Sequence, residues 1–502
     1  MTNQATMNGL GDPKVHFVFV PFMAQGHMLP MIDLAQMLAK RGVLATVITT
    51  PLNASRIKNT IDRAGEAGLP IRFVPLRFPC AEAGLPEGCE NVDVVPSGEL
   101  AQNFFEATSL LGQPLEAYLR EQQPYPSCIV SDFCNPWTRE VASRLGVPLF
   151  TFYAMCCFYL LSASNILRHG IHDAIADETE PFVVPGLAHT IEVTKAQAPS
   201  LFPGTEWEKM REGISAADRA ADGIVVNSFS ELEQWYVERY QEVMGKKVWA
   251  LGPLSLCNKD AADTAARGKE ASIDKDRCLR WLDSMKPRSV VYVSFGTLTH
   301  VSPSQIIEVG AGLEASNHPF IWVIKEVESS PEVEIWLSGG FEGRTSARGL
   351  IIKGWAPQVM ILSHPAVGGF LTHCGWNSSM EAISAGVPMI TWPFFGDQFL
   401  NERLIVDALR TGIMAGVKNP WIWGTVSNEA SVKRDGVEKA VRSLMDVGEE
   451  RQRRRERATE LGEKARKAVE EGGSSYANMT LLIEYVRDKL QQSRNPLGSS
   501  DH

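Results

Sequence analysis

The chain has 502 residues and a net charge of −10, from 49 Lys and Arg against 59 Asp and Glu. Apolar residues make up 44% and charged residues 22%, an ordinary globular balance that excludes collagen-like and disordered classes. The acidic balance argues against a general nucleic-acid or membrane-surface binder, since both depend on basic patches. At roughly 100–200 residues per domain, about two to four domains are expected.

The first residues, MTNQATMNGLGDPK, lack a charged n-region followed by an apolar h-region, so no secretory signal is expected. The longest apolar stretch, residues 145–163, approaches the length of a membrane span. Gly146 and Pro148 break it near its start, and it divides into a buried strand and a helix. Nine cysteines are too few for a disulfide scaffold, and no CxxC pair offers a zinc or redox motif. These features predict a reduced, cytoplasmic protein with no nucleic-acid partner and no integral membrane segment; a monomer is expected.

Strand and helix patterns alternate from the start. Apolar runs at 16–21 (HFVFVP), 44–49 (LATVIT), 71–75 (IRFVP), 128–132 (CIVSD) and 148–153 (PLFTFY) read as strands. A helical pattern at 29–41 ends at Gly42. A second series follows at 289–295 (SVVYVSF), 320–325, 350–353, 367–372 (VGGFLT) and 389–392. Strands alternating with helices predict βαβ units and parallel sheets, and runs without clean alternation fit strands covered on both faces. Residues 258–273 are small and polar without apolar periodicity, as in an interdomain linker. The expected organisation is an N-terminal domain over 1–257, a linker at 258–274, a second domain over 275–485 and a polar tail at 486–502. The mixed-charge run at 449–471 reads as a solvated helix with Ala458, Leu461, Ala465 and Ala468 at helical spacing.

The chemistry concentrates in residues 355–398, WAPQVMILSHPAVGGFLTHCGWNSSMEAISAGVPMITWPFFGDQ. Here a strand ends at His373-Cys374-Gly375 and a helix starts near Asn377. Gly375 allows close backbone approach, and Asn377, Ser378 and Ser379 set small polar groups beside the free N–H groups of the first turn. That is an anion site, with His373 as a further donor. Glu381, i+3 from Ser378, shares its face and suits a diol such as a ribose. Taken singly, each of these residues is more often a cap or a structural donor; the joint arrangement carries the signal.

In the first half, His27 follows the strand at 16–21 and Asp132 ends the strand at 128–132. Two strand ends of one parallel sheet can meet at one edge. A His beside a carboxylate is a general base whose tautomer is fixed and whose imidazolium is stabilised.

The 355–398 segment resembles the donor-binding signature of plant family 1 UDP-dependent glycosyltransferases of small molecules, through WAPQ at its start, HCGWNS in the middle and DQ at its end. GHMLPMIDLAQML at 26–38, VNSFSELE at 226–233, WALGPL at 249–254 and WLDSMKPRSVVYVSFGT at 281–297 fit the same family. The resemblance implies an α/β fold of GT-B type, two Rossmann-like domains with parallel sheets facing a central cleft, the last helices packing back on the first domain. It places Trp355 on the uracil beside Ala356, Gln358 at the uracil–ribose end and Glu381 on the ribose. His373, Gly375, Asn377 and Ser378 fall at the diphosphate, with Ser294 and Thr297 as a second contact. Trp376, Asp397 and Gln398 fall at the sugar, and a terminal Gln implies glucose. His27 becomes the base and Asp132 its supporting acid. The implied reaction is an inverting, metal-independent transfer of glucose from UDP-glucose to a hydroxyl of a flavonoid, triterpenoid or related phenolic, with no other cofactor. Phe22, Met23, Phe133, Phe152, Met155, Phe158, Phe202 and Phe395 are candidates for the acceptor pocket, each also able to serve as plain core. Residues 78–96 resemble a mobile loop at its mouth.

Other readings are weighed on residues. An epimerase would need a dinucleotide fingerprint after a strand together with a Tyr-x-x-x-Lys pair; the one such spacing, Tyr485 to Lys489, lies in the charged C-terminal stretch, far from any glycine-rich strand end. An inactive UDP-sugar binder would have lost the base, yet His27 and Asp132 are present. Another sugar, or an N or S acceptor, stays open. Asp274-Lys275-Asp276 matches the DxD metal pattern only formally, at a helix start. Residues 310–315 (GAGLEA) match a dinucleotide fingerprint but lie within a helix rather than after a strand.

Overall fold

The computed structural model describes residues 15–198, 202–258, 264–265, 267–420 and 430–494. The leading residues 1–14, linker residues 259–263 and 266, and the end of the tail at 495–502 lie outside the described residues.

The first series of strands is β1 (His16–Val20), β2 (Leu44–Thr49), β3 (Ile71–Pro75), β4 (Cys128–Asp132) and β5 (Leu149–Tyr153). A short antiparallel hairpin, β6 (Pro181–Val183) and β7 (Glu192–Thr194), stands apart. β8 (Gly223–Val226) and β9 (Val248–Ala250) complete a seven-stranded sheet of order β3-β2-β1-β4-β5-β8-β9. Its recorded pairings are all parallel. The second sheet holds β10 (Val290–Ser294), β11 (Phe320–Ile324), β12 (Gly349–Lys353), β13 (Val367–Thr372), β14 (Met389–Thr391) and β15 (Gly412–Met414). Its order is β12-β11-β10-β13-β14-β15, again parallel. β1, β4, β5, β10, β11 and β13 are buried along their whole length, which is why their sequences run apolar without alternation. β8 and the edge strands β9 and β15 are three- or four-residue additions that the sequence pattern does not announce.

The apolar stretch at 145–163 is β5 followed by the helix Cys157–Arg168, with a left-handed Gly146 closing the helix before it. No helix among the described residues is long and apolar enough to cross a membrane. All nine cysteines are buried and unpaired.

Two expectations change. The tail expected from 486 is helical to 494, because the helix Ser474–Arg494 seats Met479, Leu482, Ile483 and Val486 in the core at helical spacing. Its Asn478 donates to the Ala250 carbonyl, so it lies on the edge of the first sheet. The charged helix Glu449–Val469 is not simply solvated: Ala458, Gly462, Ala465 and Ala468 form a buried seam. A Cβ on Gly462 would lie 2.8 Å from the Gly386 nitrogen, so only a glycine allows this approach.

The two formal motifs resolve structurally. Asp274 caps the helix Lys275–Asp283 by accepting from the Arg277 N–H at 2.8 Å. Gly310 and Gly312 are packing positions within the helix Pro303–Ser316: a Cβ on Gly310 would lie 2.9 Å from the Trp322 ring and would also meet Trp336, and one on Gly312 would lie 2.5 Å from Val437. On an exposed helix Gly→Ala stabilises; here overpacking wins. Gly310→Ala is expected to destabilise by about 1–3 kcal/mol, read as a lower midpoint in thermal or urea unfolding.

Candidate active site

In parallel sheets ligands collect outside the carboxyl ends of the strands, and the candidate residues lie there in both sheets. β1 pairs with β4 in register Val20↔Ser131, so the segments leaving both strands emerge side by side. His27, in the first turn of the helix Gln25–Ala39, thus reaches Asp132 at the end of β4. The His27 Nδ1 lies 2.8 Å from Asp132 Oδ2. Asp132 is fully buried, and its Oδ1 accepts from the Cys134 N–H at 3.0 Å. Burial opposes protonation of His27, but the charge and hydrogen bond of Asp132, with a smaller push from Asp397, outweigh it and raise its pKa above the ordinary value. With Nδ1–H donated to Asp132, Nε2 carries the lone pair. Phe22 packs edge-on to the imidazole at 5.4 Å and Phe133 lies 5.9 Å away on another side.

His27, Asp132 and Cys134 bring three potential metal ligand atoms within 4.8 Å. Burial pushes the Cys134 thiol well up, and Asp132 beside it pushes further, while Asp132 is already engaged by His27 and the Cys134 N–H.

Facing this edge is a cleft. Ser294, Thr297, Trp355, Ala356, Gln358, Asn377, Ser378 and Glu381 line it together. Gln25, Gly26, Leu29 and Pro30 close it from the first sheet's side. The Gln358 amide donates to Ser378 Oγ at 3.0 Å and to Glu381 Oε2 at 2.8 Å, and its oxygen accepts from the Tyr292 hydroxyl at 3.3 Å. Ser302 caps the helix Pro303–Ser316 with Pro303 at its first position, closing the turn after β10.

His373, Gly375, Trp376, Asp397 and Gln398 sit at the other end, off the main cleft lining. β10 and β13 pair in register Ser294↔Thr372, so the Gly296 turn meets the His373 ring, 2.5 Å from where a Cβ would stand. Burial, with Lys325 adding to it, pushes His373 down to about 3. It is a neutral imidazole, able to donate one hydrogen bond but not to supply charge. Gly375 is the N-cap residue of the helix Trp376–Ala385. The Trp376 side chain departs from the expected sugar contact: it is 2% exposed and its Nε1 donates to the Asn227 carbonyl at 2.8 Å. Asn377 is also engaged, accepting from Asn227 Nδ2 at 2.9 Å and donating to the Gly26 carbonyl. Burial pushes Asp397 up to about 6, against its bond from Asn401. Gln398 Oε1 accepts from the Phe394 and Phe395 N–H groups, which leaves its amide nitrogen to reach a ligand.

The acceptor candidates divide. Phe22 and Phe133 flank His27, and Met23 and Met155 pack nearby in the same core. Phe202 joins an aromatic wall with Phe105 and Trp207 at 5.2–5.3 Å. Phe105 stacks on Phe22 at 5.0 Å. Phe152 and Phe158 are 0% exposed and belong to the core, Phe152 inside β5 and Phe158 against Tyr236. Phe395 packs on the core of the second sheet. The loop at 78–96 is anchored rather than free: Phe78, Leu85, Cys89 and Asn91 are buried, and the Val92 N–H donates to the Met23 carbonyl at 2.9 Å.

Several residues escaped the sequence pattern. Phe105 and Trp207 come from segments with no motif. Gln25 is 3% exposed in the cleft wall with neither end of its amide paired. Lys325, at the end of β11, enters the cleft beside Thr299 and Glu328. Arg267, from the expected linker, reaches Glu381 at 2.5 Å.

Two parallel-sheet halves, with a histidine–carboxylate pair on one lip and a polar cleft at the strand ends of the other, define a nucleotide-sugar transferase of GT-B fold. The chain belongs to the UDP-glycosyltransferase family. Residues 244–418 match the family described as "UDP-glucoronosyl and UDP-glucosyl transferase", and residues 13–256 match "Glycosyltransferase, N-terminal domain". It is 48% identical to UDP-glycosyltransferase 73C5 of Arabidopsis thaliana, covering 94% of this chain and 97% of that one. It is 48% identical to UDP-glycosyltransferase 73C11 of Barbarea vulgaris, over 96% and 98%. The crystal structure of UGT73P12 of Glycyrrhiza uralensis, complexed with glycyrrhetinic acid 3-O-monoglucuronide, superposes with a TM-score of 0.89 at 37% identity, over 96% and 98% of the two chains.

The pH profile tests the His27–Asp132 pair. A base must be neutral, so kcat/KM falls as pH drops through the raised His27 pKa, above about 6.5. In Asp132→Asn burial is opposed only by the smaller push from Asp397, so this acid limb moves to lower pH. The rate at neutral pH falls by about 10³–10⁴ as tautomer control is lost. An acid limb that stays in place would show that Asp132 does not set it.

Proposed function

We propose that the chain is a UDP-glucose-dependent, inverting O-glucosyltransferase of a rigid lipophilic plant phenolic or terpenoid, flavonoid and triterpenoid being the leading classes. The observation that carries this reading is the His27–Asp132 pair at 2.8 Å, set among aromatic rings on one lip of the cleft. His27 and Asp397 are close enough for each to shift the other's pKa, which supports a sugar held between them.

In the proposed step the acceptor hydroxyl gives its proton to His27 Nε2 as its oxygen forms a bond to the anomeric carbon. The bond from that carbon to the β-phosphate oxygen breaks, and UDP leaves with the electron pair. Asp132 stabilises the imidazolium. Ser294, Thr297, Ser378, the backbone N–H groups after Gly375 and a neutral His373 donor receive the diphosphate. Trp355 and Ala356 take the uracil, and Gln358 and Glu381 the ribose. Asp397 and the Gln398 amide nitrogen take the sugar hydroxyls. The scheme assigns UDP-glucose as co-substrate and gives no role to a metal. A single in-line displacement turns an α-linked donor into a β-glucoside.

The aromatic wall of Phe22, Phe105, Phe133, Phe202 and Trp207 supports an apolar acceptor of ring systems. Two solved relatives carry such ligands: UGT73P12 with its glycyrrhetinic acid conjugate, and UGT89C1 of Arabidopsis thaliana, 28% identical, with quercetin. We assign acceptor binding to residues 1–257 and donor binding to 275–485, and expect a cytoplasmic monomer.

Purified protein given UDP-glucose and a panel of flavonoids and triterpenoid sapogenins is expected to yield a product heavier by one hexose, with a β-anomeric proton by NMR. His27→Ala is expected to lose at least about 10²-fold in kcat. UDP-galactose used as well as UDP-glucose would refute the sugar assignment. Phe105→Ala and Trp207→Ala are each expected to raise the acceptor KM about tenfold, one aromatic contact's worth, and to leave the donor KM unchanged. A rise in the donor KM instead would sink the acceptor wall.

A further inference from the structure

The segment between the two sheets is tied into the donor cleft. Asp33, on the helix that carries His27, is 2% exposed. Its Oδ1 accepts from Asn258 Nδ2 at 3.1 Å and lies 3.3 Å from Cys257 Sγ. Its Oδ2 accepts from Arg267 Nε at 2.8 Å. One carboxylate therefore clamps both the start and the later part of the segment. The same guanidinium turns its NH1 to Glu381 Oε1 at 2.5 Å, and its side chain is only 9% exposed. Beyond it, Lys269 pairs with Asp93 at 2.6 Å, a carboxylate that also holds Arg56. Gly268, at φ +92°, passes over the Trp355 indole, where a Cβ would lie 2.7 Å from the ring. Ser272 and Trp355 exchange two hydrogen bonds of 2.8 Å. Residues 267–272 thus form a wall along the uracil-and-ribose end.

We propose that Arg267 is a donor-positioning residue: by bridging Asp33 and Glu381 it fixes the carboxylate that receives the ribose hydroxyls and locks the two halves together at the nucleoside. This rests on the ribose role assigned above to Glu381. Glu381 has two oxygens: Oε1 is held by Arg267 and Oε2 by Gln358. Each oxygen keeps a second acceptor site, so a vicinal diol can bridge the pair without displacing either partner. Without the guanidinium, Glu381 is a buried charge lacking its cation, and its Oε1 is free to rotate away. Lysine would keep the charge but not the fork that spans two carboxylates.

The test is calorimetric titration of UDP and 2′,3′-dideoxy-UDP into wild type, Arg267→Gln, Arg267→Lys and Glu381→Gln. Wild type is expected to favour UDP by at least tenfold, and Glu381→Gln to erase most of that preference. Arg267→Gln is expected to cut the preference about tenfold, and Arg267→Lys to restore part of it. Equal losses for both ligands in Arg267→Gln would mean a mere strut and would overturn the proposal. Tighter UDP binding in that variant would make the guanidinium a competitor of the ribose and would overturn it too. If Glu381→Gln loses the preference while Arg267→Gln keeps it, the ribose reading stands and this proposal fails. A wild type indifferent to the ribose hydroxyls overturns both. Should Arg267→Gln not fold, Asp33→Asn loosens the same guanidinium from its other end and is expected to halve the preference or more; a full preference there overturns the proposal.

Discussion

The geometry of the site depends on the first turn of one helix, Trp376–Ala385. Trp376 Nε1 donates to the Asn227 carbonyl, Asn227 Nδ2 donates to Asn377, and Asn377 donates to the Gly26 carbonyl. These three bonds join the end of β13 to the ends of β8 and β1. They hold the anion-binding helix end in a set position against the loop that carries His27. Because the Trp376 indole is buried, its bond forms in a low-dielectric seam where leaving it unmade is costly, while the two bonds of Asn377 lie nearer the cleft. Reaction geometry at an anomeric carbon tolerates little displacement. A seam of satisfied polar groups supplies that precision better than a greasy one, since each bond has a length and a direction.

Around the seam, electrostatics are divided by position. At the base, a buried carboxylate raises the histidine and keeps one tautomer. At the other histidine, burial without an acidic partner keeps the ring neutral, at about 3. The same side chain is thus favoured as a cation in one place and held neutral in the other. The difference is set by what each ring faces: Asp132 for His27, the Gly296 turn and Lys325 for His373. Asp397, at about 6, lies between these extremes and contributes to the field at His27. The donor cleft itself is lined mainly by neutral groups, with charge confined to Glu381, Arg267 and Lys325. An acidic chain can therefore receive a dianionic diphosphate, because the attraction comes from backbone N–H groups and a helix end rather than from net charge.

The apolar lip follows another logic. Phe22, Phe105, Phe202 and Trp207 meet edge to face and stacked at 5.0–5.3 Å, although they come from a loop, a helix and two separate turns. Such a wall offers area and shape with few hydrogen-bonding demands. That combination lets the hydroxyl's approach to His27 dictate orientation. The loop at 78–96 backs this wall with buried Phe78 against Phe104 at 5.3 Å, so the lip is supported from behind.

Alternating apolar runs and helical stretches were enough to determine two parallel-sheet halves, and strand-end placement determined where His27, Asp132, His373 and Asp397 lie. The 355–398 segment carried the donor site because its groups are local: a strand end, a glycine, a helix start and an acid one turn on are consecutive in the chain. Tertiary structure alone decided the contacts between distant segments. Arg267 sits in a stretch with no periodicity, and its role exists only because Asp33 and Glu381 converge on it from 234 and 114 residues away. Phe152 and Phe158 could not be told from pocket residues, since a buried ring and a ligand-facing ring have the same composition. Likewise Trp376 belongs to the signature while its indole belongs to the seam. Local pattern reports which backbone comes next; which side chain is left for a ligand depends on what the rest of the fold has already claimed.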